Sequence, residues 1–264
     1  MSYTLITGAT GGLGKEFAKI CALKGENLIL TARDIKKLEA LKHELLSLSD
    51  TKDINVYACD MSQKASRDEL FNQITADSLL VSKLINVAGV DTQKAFSLYT
   101  REKLLFQTRV NFESVVDLTY FTLKNRPANS RLEILTISSL CGATAVPYFA
   151  IYSATKSSLI TFMRALSYEL KGENVTVTTV LPGSIPTRPD IIEDIKIQGL
   201  QGKLSKKSPA FVAQKSLKAL KKRKKIYVPG AYNKLVYFLS KITPKIITEK
   251  IMARKFSRKQ KDAF

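Results

Sequence analysis

The sequence predicts an α/β protein: a doubly wound, mostly parallel sheet covered on both faces by helices, in one domain with a basic helical extension at its C-terminal end. Three observations carry that expectation. Short β-rich apolar runs alternate with longer stretches of helical period along most of the chain, and strands separated by helices need the crossover connections that parallel sheets use. A glycine-rich turn joins the first apolar run to the first helical stretch. Finally, 264 residues of which 45% are hydrophobic and 25% charged suffice for one large core without low-complexity segments.

The first strand is expected over Ser2 to Thr7 and the first helix over Leu13 to Leu23. A second strand spans Leu28 to Thr31, followed by a helix from Ile35 to Leu48 for which Asp34 is a natural N-cap. Further strands are expected at Ile54 to Ala58, Leu84 to Val87, Leu132 to Ile137, Val175 to Val180 and Ile226 to Val228, with helical segments between them. One of these, from Ile151 to Leu170, has clear helical period. The unit over residues 1–230 is then the α/β domain, and residues 231–264 form its extension. In doubly wound folds ligands bind beyond the carboxyl ends of the strands, so chemistry is sought immediately after each one.

Composition removes several classes of function. The N-terminus lacks the basic, apolar and small-residue regions of a signal peptide, and no stretch approaches the roughly 18 uncharged apolar residues of a membrane span. Cys21, Cys59 and Cys141 are far apart, fit no metal-ligand spacing and read as reduced thiols in a cytoplasmic protein. No metal site is expected. His43 is the single histidine and lies in a charged helical pattern, which argues against a zinc hydrolase or a Ser-His-Asp triad. The net charge of +19 is unevenly placed: residues 1–202 carry 23 bases and 21 acids, whereas residues 203–264 carry 19 bases against Glu249 and Asp262 alone.

The turn reads Thr7-Gly8-Ala9-Thr10-Gly11-Gly12-Leu13-Gly14. Glycines allow a tight turn and close approach of the backbone to a pyrophosphate, whose charge the amides and dipole of a helix N-terminus favour. A ligand-free strand-to-helix turn would use glycines in the same way. In this turn the sequence resembles the short-chain dehydrogenase/reductase family, whose members carry T-G-x-x-x-G-x-G; Thr7, Gly8, Gly12 and Gly14 match, and Gly8, Gly11 and Gly14 also satisfy the T-G-x-x-G-x-x-G of the extended branch.

The resemblance implies a Rossmann fold and a nicotinamide cofactor. It places Ala32 where an NAD-selecting acid would sit and Arg33 where NADP-using members keep a base, which favours NADP(H) over NAD(H). A solvated arginine is the plainer alternative. By the same resemblance Asp60 faces the adenine, Asn86-Val87-Ala88-Gly89 corresponds to the family's N-N-A-G with Val87 replacing its second Asn, and Pro182-Gly183 leads into Ile185 and Thr187, candidate contacts to the nicotinamide carboxamide. The cofactor set is therefore Gly8, Thr10, Gly12, Leu13, Gly14, Arg33, Asp60, Asn86, Ala88, Gly89, Tyr152, Lys156, Pro182, Gly183, Ile185 and Thr187.

Hydride delivered to a carbonyl leaves an alkoxide that needs a proton donor within reach. Tyr152 and Lys156 lie one helical turn apart, on one face, and a nearby ammonium should bring the phenol's pKa down towards working pH. Such a pair is common on exposed helices and needs context. The context is Ser139, thirteen residues upstream at the end of a strand, which the resemblance assigns to the substrate carbonyl, and Asn111, which it assigns to a water in the proton relay. The serine-to-tyrosine spacing and the absence of a large substrate domain favour the short, single-domain branch. A homodimer or homotetramer follows from the resemblance.

Two segments are read less fully. From Thr187 to Ala210 the chain becomes polar and irregular, a flap over the substrate in relatives; Ile191, Ile192, Ile195, Ile197 and Leu200 hint at an apolar or lipid-like substrate, or simply at helix packing. From Tyr232 to Phe256 apolar residues recur at helical spacing among lysines, with Pro244 dividing two helices. That pattern suits peripheral contact with an anionic membrane, packing on the body, closure of the substrate cleft or a subunit contact, and not nucleic acid, since no reading motif is present. The expectation is an NADP(H)-dependent oxidoreductase acting on a carbonyl or secondary alcohol. The alternative is a catalytically silent nucleotide sensor or membrane-surface protein on the same fold.

Overall fold

In a computed structural model, which describes residues 1–48, 50 and 53–257, seven parallel strands form a single sheet in the order β3-β2-β1-β4-β5-β6-β7. The strands are β1 (Tyr3–Thr7), β2 (Asn27–Ala32), β3 (Ile54–Ala58), β4 (Val81–Asn86), β5 (Leu132–Ile137), β6 (Val175–Val180) and β7 (Ile226–Tyr227). The order reverses between β1 and β4, which opens a crevice beyond their carboxyl ends.

Alternate residues of each strand face opposite layers, so one sheet serves two cores. Ile6 and Leu30 pack with α1 (Gly12–Ala22), α2 (Ile35–Leu48) and α9 (Pro209–Lys221), whereas Leu5 and Ile29 pack with α3 (Lys64–Ala76), α5 (Ser114–Lys124) and α6 (Ala150–Glu169). The helix α4 (Arg101–Thr108) runs into α5 through one π-helical turn, Arg109–Glu113. The expected doubly wound sheet is thus present, with every neighbouring pair of strands parallel.

Two readings of the sequence are corrected. The fourth strand starts at Val81 rather than Leu84, because Lys83 is held inside the sheet layer by Glu26 at 2.7 Å and Glu133 at 3.7 Å. The stretch after Thr187 is not irregular: it forms α7 (Pro189–Ile197) and α8 (Gly199–Ser205). The basic extension forms α10 (Ala231–Ile242) and α11 (Lys245–Phe256) with Pro244 between them, and its residues 258–264 lie outside the described residues. No described helix is long and apolar enough to cross a membrane.

Candidate active site

A single cleft of about 900 Å³ runs along the carboxyl ends of the strands. All the residues expected to contact cofactor or substrate line it except Asn86 and Asn111. Its walls come from the turn after β1, the loops after β2 to β6, the start of α6, the helices α7 and α8, and α10 and α11.

At one end the chain leaves β1 through Gly8 at φ +63°, a left-handed conformation that glycine adopts without strain. Gly14 meets this turn so closely that a Cβ built on it would lie 2.1 Å from the Gly8 carbonyl oxygen. Thr7 ties the turn to the next loop, its Oγ1 accepting from the Val87 and Ala88 amides at 3.0 and 3.1 Å. The first turn of α1 therefore lines the cleft, where the first amides of a helix have no intrahelical partner, and a Cβ on Gly8 would press on Ala88 at 3.0 Å. This cradle fits a pyrophosphate.

Beyond β2, Ala32 is small and buried and Arg33 is exposed on the cleft rim, with Lys37 beside it on the first turn of α2. Asp34 accepts from the Lys37 amide at 3.2 Å, which caps α2 and holds its carboxyl below the usual range. Asp60 lines the cleft while its Oδ1 accepts from the Ser62 amide and hydroxyl at 2.9 and 2.8 Å. Asn86 stays inside the sheet, donating to Thr136 Oγ1 at 3.2 Å, so this expected contact is not on the cleft wall. The backbone after β4 passes over it, and Ala88 and Gly89 form the wall instead.

At the other end lie the groups able to move a proton. Ser138 and Ser139 separate cleanly: Ser138 is buried and donates to the Lys156 carbonyl at 2.7 Å, whereas Ser139 accepts from the Cys141 amide at 3.1 Å and faces the cleft, as Tyr152 does. Lys156 Nζ donates to the Ile137 carbonyl at 3.0 Å and stands 5.8 Å from the Tyr152 ring centroid. A Cβ on Gly89 would lie 3.2 Å from that Nζ and 3.4 Å from Asn111 Oδ1, so the missing side chain is what lets the two groups converge.

Asn111 is fully buried behind this wall, in the π turn. Its Oδ1 accepts from the Val90 amide at 2.8 Å and its Nδ2 donates to the Val90 carbonyl at 2.9 Å and to Thr155 Oγ1 at 3.2 Å. The widened turn thereby aims a helical Asn at a strand-end loop, and π turns of this kind concentrate at functional sites.

The electrostatics correct one expectation. Burial pushes the Tyr152 phenol well above its usual value, and the negative charge of Asp91 adds to the rise, against which Ser139 and Arg188 act. Burial likewise lowers Lys156, to about 8, opposed by Asp91. Tyr152 therefore keeps its proton at neutral pH, the state a proton donor requires.

Two contacts escape the sequence, and a placement it left open is decided. Arg188 bridges the loops after β6 and β4 by pairing with Asp91 at 2.6 Å, and it also pairs with Asp190 at 3.1 Å. Phe149 stacks on Tyr152 with ring centroids 4.3 Å apart, and Phe256 of α11 stacks on Phe149 at 6.0 Å. The inward sides of α10 and α11, including Val236, Tyr237 and Met252, roof the cleft. Of the flap's aliphatic residues, Ile191 and Ile195 line it too, while Ile192, Ile197 and Leu200 are exposed. Helical period marked these segments as amphipathic, but only the fold shows which side faces the site.

Comparison with known proteins identifies the family. A dehydrogenase/reductase SDR family member 7B from Xenopus laevis is 29% identical over 273 residues, covering 98% of this chain and 84% of that protein. A very-long-chain 3-oxoacyl-CoA reductase from Podospora anserina is 33% identical over 189 residues, covering 70% of this chain and 55% of that protein. A solved structure of a 7β-hydroxysteroid dehydrogenase shares the fold, with a TM-score of 0.86 at 22% identity over 96% of both chains. Residues 2–192 match the family model described as short chain dehydrogenase. The chain belongs to the short-chain dehydrogenase/reductase family, oxidoreductases that act on CH–OH and carbonyl groups.

Proposed function

We propose that the protein is an NADP(H)-dependent reductase or dehydrogenase that interconverts a carbonyl and a secondary alcohol on an apolar, lipid-like substrate, with Tyr152 as general acid and base. The observation that carries this reading is that Ser139, Tyr152 and Lys156 line one cleft together with the glycine cradle. Bound at that cradle, the cofactor supplies the hydride. Gly8, Thr10, Gly12, Leu13 and Gly14 would hold the pyrophosphate, Asp60 and Ala88 the adenosine side, and Pro182, Gly183, Ile185 and Thr187 the nicotinamide. Arg33 and Lys37 offer two cations, Lys37 already paired with Asp34 at 3.6 Å, and Ala32 stands in place of an NAD-selecting acid where a 2′-phosphate would lie.

Reduction then runs on this chain's own groups. Ser139 donates to the carbonyl oxygen, and Tyr152, still protonated, gives its proton to that oxygen as negative charge develops there. Lys156, cationic below about pH 8, offsets the phenolate left behind. The relay back to solvent passes Lys156 and Asn111 on either side of Gly89. In oxidation the same phenolate takes the proton from the alcohol.

An apolar substrate is supported by what surrounds Tyr152: Phe106, Val146, Phe149, Ile195, Met252 and Phe256 line this end of the cleft. The Podospora relative's name, a very-long-chain 3-oxoacyl-CoA reductase, points the same way. Cys21, Cys59 and Cys141, none of them in a disulfide among the described residues, suit a reducing compartment.

The test is NADPH oxidation against a panel of ketones and aldehydes of increasing chain length. Tyr152→Phe removes the proton donor but keeps the ring, and its turnover is expected to fall by roughly 10²- to 10⁴-fold. Turnover that survives Tyr152→Phe unchanged overturns the mechanism.

A further inference from the structure

The helices that roof the cleft have further apolar residues that none of the described residues covers. On α10, Leu235, Phe238 and Ile242 fall at i, i+3 and i+7 off the cleft, with Leu239 at its rim; Ile246 and Ile251 are exposed on α11. Each is between 45% and 63% exposed. Lys234, Lys241, Lys245, Lys250 and Arg254 are exposed on the same two helices. The neighbouring α8 packs against α10 and adds Leu200 and Leu204, both exposed, with Lys203 beside them. A contiguous apolar face of this kind on a folded chain marks an interaction surface.

Charge selects the occupant. Among the described residues the exposed charges on these helices are Lys203, Lys234, Lys241, Lys245, Lys250 and Arg254, so a second copy meeting this face would bring like charge against like. A nucleic acid would satisfy the lysines but leave the isoleucines and Phe238 in water. The leaflet of an anionic membrane satisfies both, its headgroups taking the ammonium groups and its acyl boundary the aliphatic stripe.

We propose that the outward face of α10 and α11 docks on an anionic membrane surface while their inward face closes the substrate cleft, so that an apolar substrate passes from the bilayer into the site beneath these helices. The docking stands on the surface alone. The passage of substrate rests on the reading of the cleft as a site for an apolar carbonyl or alcohol.

The experiment is flotation of the full chain with vesicles of phosphatidylcholine alone and of phosphatidylcholine with phosphatidylserine, for wild type and the double variant Phe238→Glu/Ile242→Glu. Neither residue lines the cleft, and thermal melts confirm that the variant folds. Wild type is expected to float with the anionic vesicles, less at high salt and little with the neutral ones; the variant is expected to lose about tenfold or more of its partitioning. NADPH oxidation with a water-soluble ketone should be the same in both, whereas turnover of a long-chain ketone carried in the vesicles should fall in the variant. Wild type that fails to float, or a variant that floats equally well, overturns the docking. A dimer in lipid-free buffer that the double variant dissociates makes the occupant a second copy and overturns it as well. Intact flotation without reductase activity on any carbonyl overturns the proposed function and leaves the docking standing.

Discussion

Lys156 is the buried cation whose titration falls nearest to working pH. Burial lowers it to about 8 and the charge of Asp91 holds it from falling further. Because reduction needs the ammonium to offset a developing phenolate, kcat/KM for carbonyl reduction is expected to decline as pH rises through about 8. Asp91→Asn removes the group that raises Lys156, so the alkaline limb should move to lower pH; a limb that stays in place or moves upward refutes the assignment. The same substitution breaks the pair with Arg188 across the cleft, and its effect on KM would report that contact separately. The contrast between these residues explains what could be read in advance. Tyr152 and Lys156 are four apart on a helix and Ser139 ends a strand, so local periodicity places them. Asp91 and Arg188 are 97 positions apart and meet only because β4 and β6 end on the same side of the sheet. The raised pKa of Tyr152 was equally hidden, since it comes from its burial at the head of α6 and from Asp91, neither of them local in sequence.

Whole elements were legible where one face is apolar and the caps are ordinary. α2 begins and ends where periodicity and Asp34 predict, and the parallel strands read as continuous apolar runs because both faces are covered. β4 was truncated because Lys83 looks like a loop residue until Glu26 and Glu133 are seen to satisfy it. The π turn at Arg109–Glu113 was invisible for a related reason: its cause is the hydrogen bonding of Asn111 to Val90, a contact outside the helix. The glycine turn is the element whose geometry is most constrained. Since a Cβ at Gly14 would sit 2.1 Å from backbone that cannot move independently, Gly14→Ala must displace α1 from the turn. It is expected to cost roughly 1–3 kcal/mol in urea denaturation and to weaken cofactor binding more than proportionately, because the amides at the start of α1 move with it. Wild-type stability and affinity in Gly14→Ala would show that the turn is less rigid than this packing requires.

At the scale of the molecule, both cores share one sheet, so displacing either helical layer exposes strands that the other layer also needs. Anything that binds only the folded chain should therefore stabilise it as a unit, and mass action sets the size of the effect. The cofactor cleft spans the ends of β1 to β6, so its occupancy ties together loops from both halves of the sheet. NADPH at a hundredfold excess over its dissociation constant contributes about 2.7 kcal/mol. With roughly 2–4 °C per kcal/mol for a chain near this size, Tm is expected to rise by roughly 5–10 °C. NADH at the same concentration should give a smaller rise, because Arg33 and Lys37 gain nothing from a bare ribose hydroxyl. Arg33→Ala should shrink the NADPH shift towards that of NADH, corresponding to a loss of roughly 10- to 100-fold in affinity for one charge-assisted contact, and leave the NADH shift unchanged. Since Arg33 is exposed and touches neither core, the unliganded Tm should not move, which separates a lost phosphate contact from a weakened fold. Equal shifts by the two cofactors in wild type would mean that the rim of the cleft at Arg33 does not choose between them.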